Sequence, residues 1–378
     1  MKKVLLIILL CLIYIPNVYA LDLTKNAKSS ILIEESTGEI IYEKNKDERL
    51  APASMTKIMS LIIIMEELNK GNIKLDEEIT ISKNAASMGG SQIYLEENEK
   101  MTVKDLIKGI AMASANDAVV ALAERISGTE EAFVFRMNQK ARKLKLRNTN
   151  FKNATGLDKD DHYSSAYDMS IMARELIKYK EILNYSSKYE DYLRTDSEKK
   201  FWLVNTNKLI KMYDGMDGLK TGYTEKAKYC LTATAKKNKM RLIGVVMGEE
   251  SSNDRNEEMK ALLDYGFNLY NVKNLVKENK VISKYNNSKM KNTNVGIVSS
   301  KDINIINKKG SKKRKVSYKV KINRKKLPIK KGEVVGKLLL YENNNVISKI
   351  NVTVNQNVYK ASFFCQLFKN IINHLTYS

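Results

Sequence analysis

The spacing of apolar and polar positions changes character several times along this chain. Residues 29–43, SSILIEESTGEIIYE, hold two apolar runs on either side of Ser36, Thr37 and Gly38. That pattern predicts a β-hairpin with the glycine its turn requires. Residues 54–68 are apolar nearly all round, with Met55, Ile58, Met59, Leu61, Ile62, Ile63 and Met65. This predicts a helix inside a domain, too short to span a membrane. Helical spacing recurs at 103–127, 130–145, 166–179 and 256–270. Two apolar runs at 229–236 and 241–248, separated by KNKM, predict buried strands. A hairpin early, strands late and helices between predict one sheet built from both ends of a domain.

Beyond residue 271 the pattern becomes short runs, VGIVSS, VSYKVKI, VVGKLLLY and VISKINVTV, between polar turns. That reads as a small all-β module, with GSKKRK at 310–315 as a solvated loop. The last segment changes again. Phe363, Phe364, Leu367, Phe368, Ile371, Ile372 and Leu375 fall on one helical face, with Gln366, Lys369, Asn370 and Asn373 opposite. An amphipathic helix lying in a membrane interface is the expectation. At the other end, Lys2 and Lys3, the apolar run 4–15 and Val18-Tyr19-Ala20 read as a secretory signal peptide. Leu10 before Cys11 is not the small residue a lipoprotein signal would carry. The expected divisions are therefore 1–20 as leader, 21–270 as a first domain, 271–358 as a basic β-rich domain and 359–378 as a membrane-associating helix.

Charge sharpens that division. The whole chain carries +22; from residue 271 onward, 24 Lys and Arg face 4 Asp and Glu, which is +20. With the two leader lysines set aside, residues 21–270 are neutral overall. An exported chain with such a basic second half should associate with anionic surfaces, such as lipid headgroups or acidic wall polymers. Export and the lack of an aromatic-basic motif argue against nucleic acid. After the leader only Cys230 and Cys365 remain, far apart and with no metal or disulfide spacing. Cys230 lies in a strand-like apolar run and reads as core.

Three short constellations carry chemistry. In Ser54-Met55-Thr56-Lys57, a spacing of three places a hydroxyl and an amine one helical turn apart. A serine needs a base to become a nucleophile, and lysine serves only if burial or a nearby cation lowers its pKa. A helix N-terminus there favours a developing oxyanion. Ser114-Ala115-Asn116 interrupts an apolar helical stretch. It reads either as a helix cap, or as a hydroxyl relaying a proton to a leaving group beside an amide that holds substrate. Lys220-Thr221-Gly222 lies just before a strand, where Lys220 and Thr221 could contact a substrate carboxylate. Gly222 lets a substrate lie against the backbone, and Lys220 is the candidate cation beside Lys57. Each triplet alone is weak; the three together, in this order, are specific.

The set resembles the active-site motifs of the penicillin-recognising serine enzymes. Within them it is most similar to the low-molecular-mass penicillin-binding proteins that are D-alanyl-D-alanine carboxypeptidases. APASMTKIM, GGSQIYLEE, FKNATGLDKDDHYSSAYDMS, NTNKLI, GMDGLKTGYT and LLDYGF share the likeness, which runs from about residue 25 to 270. LPIKKGEVVGKLLLY resembles that family's β-rich C-terminal domain. The resemblance implies an α/β (α+β) penicillin-recognising serine transferase/hydrolase fold, with a C-terminal all-β domain and an amphipathic C-terminal helix. It implies Ser54 as the acylated nucleophile and Lys57 as general base. Ser114 and Asn116 form the second motif; Lys220, Thr221 and Gly222 form the third. It implies Arg255 as a basic residue facing the terminal carboxylate, where a surface ion pair is the plain alternative. The oxyanion hole would come from the amides of Ser54 and of Tyr223 or Thr224. Expected partners are pentapeptide stems and β-lactams, with no cofactor.

Other functions compete. A class A β-lactamase would place a deacylating glutamate between the second and third motifs, whereas residues 151–170 offer Asp158, Asp160 and Asp161 but no glutamate. A D,D-endopeptidase shares all three motifs. An idle wall-binding protein need not keep them intact. His162 tempts as a triad member, but Lys57 already fills the base role. With His374 as the other histidine, ligands for a zinc peptidase are too few.

Overall fold

The computed structural model describes residues 21–287, 289–291, 294–324, 326–363 and 366. The leader expected at 1–20 and nearly all the apolar face of the expected C-terminal helix lie outside those residues, as do Cys365 and His374. Five antiparallel strands form the central sheet: β1 (Ser29–Glu34), β2 (Ile40–Lys44), β3 (Met216–Thr224), β4 (Lys228–Lys237) and β5 (Met240–Glu249). Their order is β2-β1-β5-β4-β3, so both ends of the domain do build one sheet.

Both sheet faces are covered, which is why the strands read as continuous apolar runs; every residue of β5 is buried. One face, with Leu32, Leu231, Leu242 and Val246, packs on α6 (Ser252–Leu269) through Met259, Leu262 and Leu263. The other, with Ile31, Ile33, Ile243 and Val245, meets the helical layer. That layer comprises α1 (Lys57–Lys70), α2 (Val103–Lys108), α3 (Asn116–Ser127), α4 (Glu130–Leu144) and α5 (Ala166–Leu176). Helix starts follow capping chemistry. Thr129, Ser165 and Ser251 each accept the backbone N–H of Ala132, Asp168 and Asp254. The Ser251 cap is why α6 begins ahead of the apolar spacing at 256.

Two expectations need correction. The periodic stretch 103–127 is two helices joined by a π turn, Gly109–Ala113. GSKKRK is not simply a solvated loop, because Arg314 within it is bonded to Glu39 and Glu342.

The C-terminal part contains β6 (Tyr270–Val276), β7 (Val281–Lys284), β8 (Gly296–Ser299), β9 (Ile303–Lys308), β10 (Val316–Ile322), β11 (Val334–Glu342) and β12 (Asn345–Val354). β6 pairs with β9, and the rest form a sheet of order β7-β8-β12-β11-β10. Ile297, Ile305, Leu338, Leu340 and Val352 anchor its own core.

Candidate active site

Ser54 does not start a regular helix. It sits in a 3-10 turn, Ala53–Thr56, that feeds into α1. Ala53 is held at φ 45°, an unusual conformation for a residue with a Cβ. Two glycines clamp this turn. At Gly156, φ is +89° and an added Cβ would lie 1.9 Å from the Ala53 carbonyl oxygen. At Gly222 a Cβ would lie 2.8 Å from the Pro52 oxygen and 3.1 Å from the Ala53 Cβ. Gly222 thus has a packing reason to lack a side chain, besides leaving room for substrate.

The turn presents the Ser54 hydroxyl to a buried amine. Lys57 Nζ lies 3.0 Å from Ser54 Oγ and donates to the Thr155 carbonyl at 2.6 Å. The Lys57 side chain has no exposed surface. Burial first, and then the Lys220 cation, push its pKa well below that of a free lysine, against a smaller opposing pull from Asp117. Lys220 is buried as well, and burial followed by the Arg255 charge brings it down to about 7. Arg255 is 6 % exposed, lies over the Tyr229 ring and donates twice to Asn256 Oδ1. It is therefore no surface ion pair. The Lys220 and Arg255 charges thus stand in series behind Lys57, each disfavouring the protonated form of the amine before it.

Ser114 is not the N-cap of α3. The π turn ends on it in the left-handed region, φ 64° and ψ 28°, and the cap position of α3 belongs to Ala115. π turns of this kind often mark functional sites. The Ser114 hydroxyl is buried and has no hydrogen-bond partner among the described residues. Asn116 is pinned through its backbone N–H to the Ser91 carbonyl and through Nδ2 to the Gly89 carbonyl, each at 2.7 Å.

Lys220, Thr221 and Gly222 lie inside β3 rather than ahead of a strand. Lys220 Nζ donates to the Thr221 carbonyl at 3.0 Å, and Thr221 Oγ1 donates to Thr206 Oγ1 at 2.8 Å. Thr206 in turn donates its backbone N–H to Met112 in the π turn, tying the third constellation to the second. Thr224 Oγ1 donates to Asp158.

His162 does not meet Ser54. Its Nδ1 accepts the Lys152 N–H, so Nε2 donates to Thr56 Oγ1 at 2.8 Å. Burial lowers its pKa to about 4, and it works as a neutral tie between the 151–163 loop and the Ser54 turn. Cys230 is core, and burial pushes its thiol up to about 12. Among the described residues no cluster of three or more His, Cys, Asp or Glu is placed to hold a metal ion.

Sequence reasoning did not single out Ala53, Asp117, Thr155, Gly156 or Thr206. Asp117 accepts the backbone N–H groups of Ile93 and Leu95 and so fixes the loop that holds Asn116. Only Gly156, within ATGLD, carried a local turn signal.

Comparison with known proteins agrees with this geometry. The family model for D-alanyl-D-alanine carboxypeptidase (Peptidase S11) matches residues 17–251, and that for the C-terminal domain of penicillin-binding protein 5 matches 270–360. The chain is 51% identical over 343 residues to the D-alanyl-D-alanine carboxypeptidase DacF of Bacillus subtilis, covering 90% of this chain and 88% of that one. It is 32% identical to the D-alanyl-D-alanine carboxypeptidase DacA of Escherichia coli K12, over 98% of this chain and 96% of the relative. The structure of penicillin binding protein 5 from Haemophilus influenzae superposes with a TM-score of 0.72 at 32% identity, over 89% of this chain and 98% of that one. The Ser54 turn, the three constellations around it and the β-rich second half thus have one common explanation: the chain belongs to the D-alanyl-D-alanine carboxypeptidases, the low-molecular-mass penicillin-binding hydrolases that act on peptidoglycan.

Proposed function

We propose that the protein removes the terminal D-alanine of peptidoglycan pentapeptide stems through an acyl-enzyme on Ser54. Neutral Lys57 takes the Ser54 proton as Oγ bonds to the carbonyl carbon of the penultimate D-alanine. The amides of Ser54 and of Tyr223 or Thr224 stabilise the oxyanion. The C–N bond then breaks, and the proton passes to the departing amine by way of Ser114. Water hydrolyses the ester and regenerates Ser54. Asn116 holds the peptide amide. Lys220, Thr221 and Arg255 face the terminal carboxylate, with Gly222 open beside them. The observation that carries this reading is the 3.0 Å contact between Ser54 Oγ and a fully buried Lys57. A β-lactam, whose ring amide mimics the scissile bond, acylates the same serine.

This function belongs outside the cytoplasm. In this reading residues 1–20 direct export and are removed, 21–270 act as the catalytic domain, and 271–358 form a basic support. Residues 359–378 lie on the anionic outer face of the cytoplasmic membrane. The apolar spacing of the tail and the +20 charge beyond residue 271 support that placement. Nothing in the site favours cleavage of cross-links over trimming of free stems.

The test is release of D-alanine from diacetyl-L-Lys-D-Ala-D-Ala by residues 21–355. Release is expected from the native protein and not from Ser54→Ala. No release by the native protein, with penicillin hydrolysed instead, would replace the carboxypeptidase with a β-lactamase.

A further inference from the structure

One face of the C-terminal sheet concentrates charge that the fold does not use. Along β11 and β12, Leu338, Leu340, Ile350 and Val352 point into the module's own core. The alternate positions point the other way, and there stand Lys319, Lys321, Lys337 and Lys349, all exposed. The register gathers them. Lys321 lies directly across from Lys337, and Lys319 and Lys349 flank Leu339 from either side. Ser317, Tyr341 and Asn351, on the same face, carry no charge. The ion pairs of this module join Arg314 to Glu39 and Glu342, and Arg324 to Glu333. Among the described residues none of them uses these four lysines.

Like charges directly opposite on neighbouring strands destabilise a sheet. Lysines do protect the open edge of a sheet, which accounts for Lys319 and Lys321 on the edge strand β10. It does not account for Lys337 and Lys349, which lie on the interior strands β11 and β12. A cluster that costs stability and guards no edge there is the arrangement expected of a surface that meets an anion.

The place of the face narrows the partner. Val316 pairs with Glu342 beside Arg314, at the junction with the first domain. Ile322 pairs with Gly336 at the far end, where Ile329 meets Val358 and the chain heads toward its tail. The lysines thus line a flank between the junction and the tail, not the end from which the tail leaves. With the tail on the membrane, this flank looks into the wall space. We propose that Lys319, Lys321, Lys337 and Lys349 form a docking face for a linear phosphodiester polyanion of the wall. The proposal rests on the extracytoplasmic placement above. Lysine ammonium groups bind phosphate as point charges. Their spacing, about 7 Å along a strand and about 5 Å between strands, lets one flexible chain meet several of them.

The experiment measures binding of the full chain to long-chain inorganic polyphosphate and to phosphatidylglycerol vesicles over a range of salt. One variant combines Lys319→Gln, Lys321→Gln, Lys337→Gln and Lys349→Gln. A second, with the same net charge, combines Lys312→Gln, Lys313→Gln, Lys330→Gln and Lys331→Gln. The first should lose about tenfold or more in polyphosphate affinity, and about three units of the slope of log affinity against log salt, because each ammonium contact releases counterions. The second should lose less than about threefold. Without the opposed lysine pair the first variant should melt at or above the native temperature, which shows that it is folded. Equal losses in the two variants would reduce the binding to net charge and overturn the face, as would no loss in either. A loss confined to the vesicles would overturn it too, and would assign the face to the membrane. Binding by the purified chain is read independently of export and of D-alanine release, so either reading can fail without the other.

Discussion

At the scale of single residues, the proposed mechanism makes opposite demands on two buried lysines, Lys57 without a proton to act as a base and Lys220 with one to attract a carboxylate. Burial acts on both, but Lys220 adds its charge to the pressure on Lys57, while only Arg255 presses on Lys220. Both shifts run downward, and Lys57 has a second amine beside it as an added cause. The pH dependence of kcat/KM, which reports the free enzyme, should therefore fall on the alkaline side with a midpoint near the Lys220 value of about 7. Replacement of Arg255 by Gln removes a cation that disfavours protonated Lys220, so the proton is held more tightly. That alkaline midpoint should then rise by on the order of one pH unit, even as the overall rate drops. An unmoved midpoint would detach Lys220 from the alkaline limb.

At the scale of elements, the position of Ser54 depends on a turn that no local propensity favours. Ala53 holds its positive φ because Gly156 and Gly222 close on it from either side. Gly156→Ala would place a methyl 1.9 Å from the Ala53 oxygen, so the turn or the 151–163 loop has to move. Because a displacement of about 1 Å can cost a hundredfold in rate, acylation by a fluorescent penicillin should slow by about that factor. A variant that melts close to the native temperature yet acylates at the native rate would show that the clamp does not position the serine.

At the scale of the whole molecule, the two halves meet at the β1–β2 turn. Arg314 Nη1 donates to both Glu39 oxygens at 2.9 and 2.7 Å, and Nε and Nη2 donate to Glu342 at 2.7 and 2.8 Å. Asn304 Nδ2 donates to Ser36 Oγ at 2.9 Å, and Arg174 of α5 donates to the Ser36 carbonyl. These contacts couple the basic β-rich half to the edge of the central sheet, on elements that carry no candidate site residue. Forked arginine pairs at partly exposed positions contribute up to roughly 1 kcal/mol. Arg314→Ala should lower the calorimetric melting temperature or split one transition into two. Turnover of a soluble tripeptide should stay at the native level. A change in turnover with unchanged melting would mean that the junction acts on the site instead.

The readable part of this chain was local. Apolar spacing predicted the hairpin at 29–43, the buried strands at 229–236 and 241–248, and a sheet joined from both ends, because burial on both faces leaves a periodic trace. The pairing of Ser54 with Lys57 was also legible, since one helical turn sets that distance. What spacing could not convey is anything that depends on residues distant in sequence. The helical run at 103–127 hid the π turn, because an inserted residue alters geometry without altering composition. Asp117, Thr155 and Thr206 belong to no pattern that spacing or composition marks, and Gly156 only to a turn. Arg314 looked like one more solvated charge. Their roles come from which backbone atoms the folded chain brings against them. The sequence by itself determined the chemistry available and its placement on elements. Tertiary structure alone decided how deeply Lys57 and Lys220 are buried beside one another and which serine hydroxyl is left without a partner among the described residues, because burial and charge proximity exist only once the elements pack.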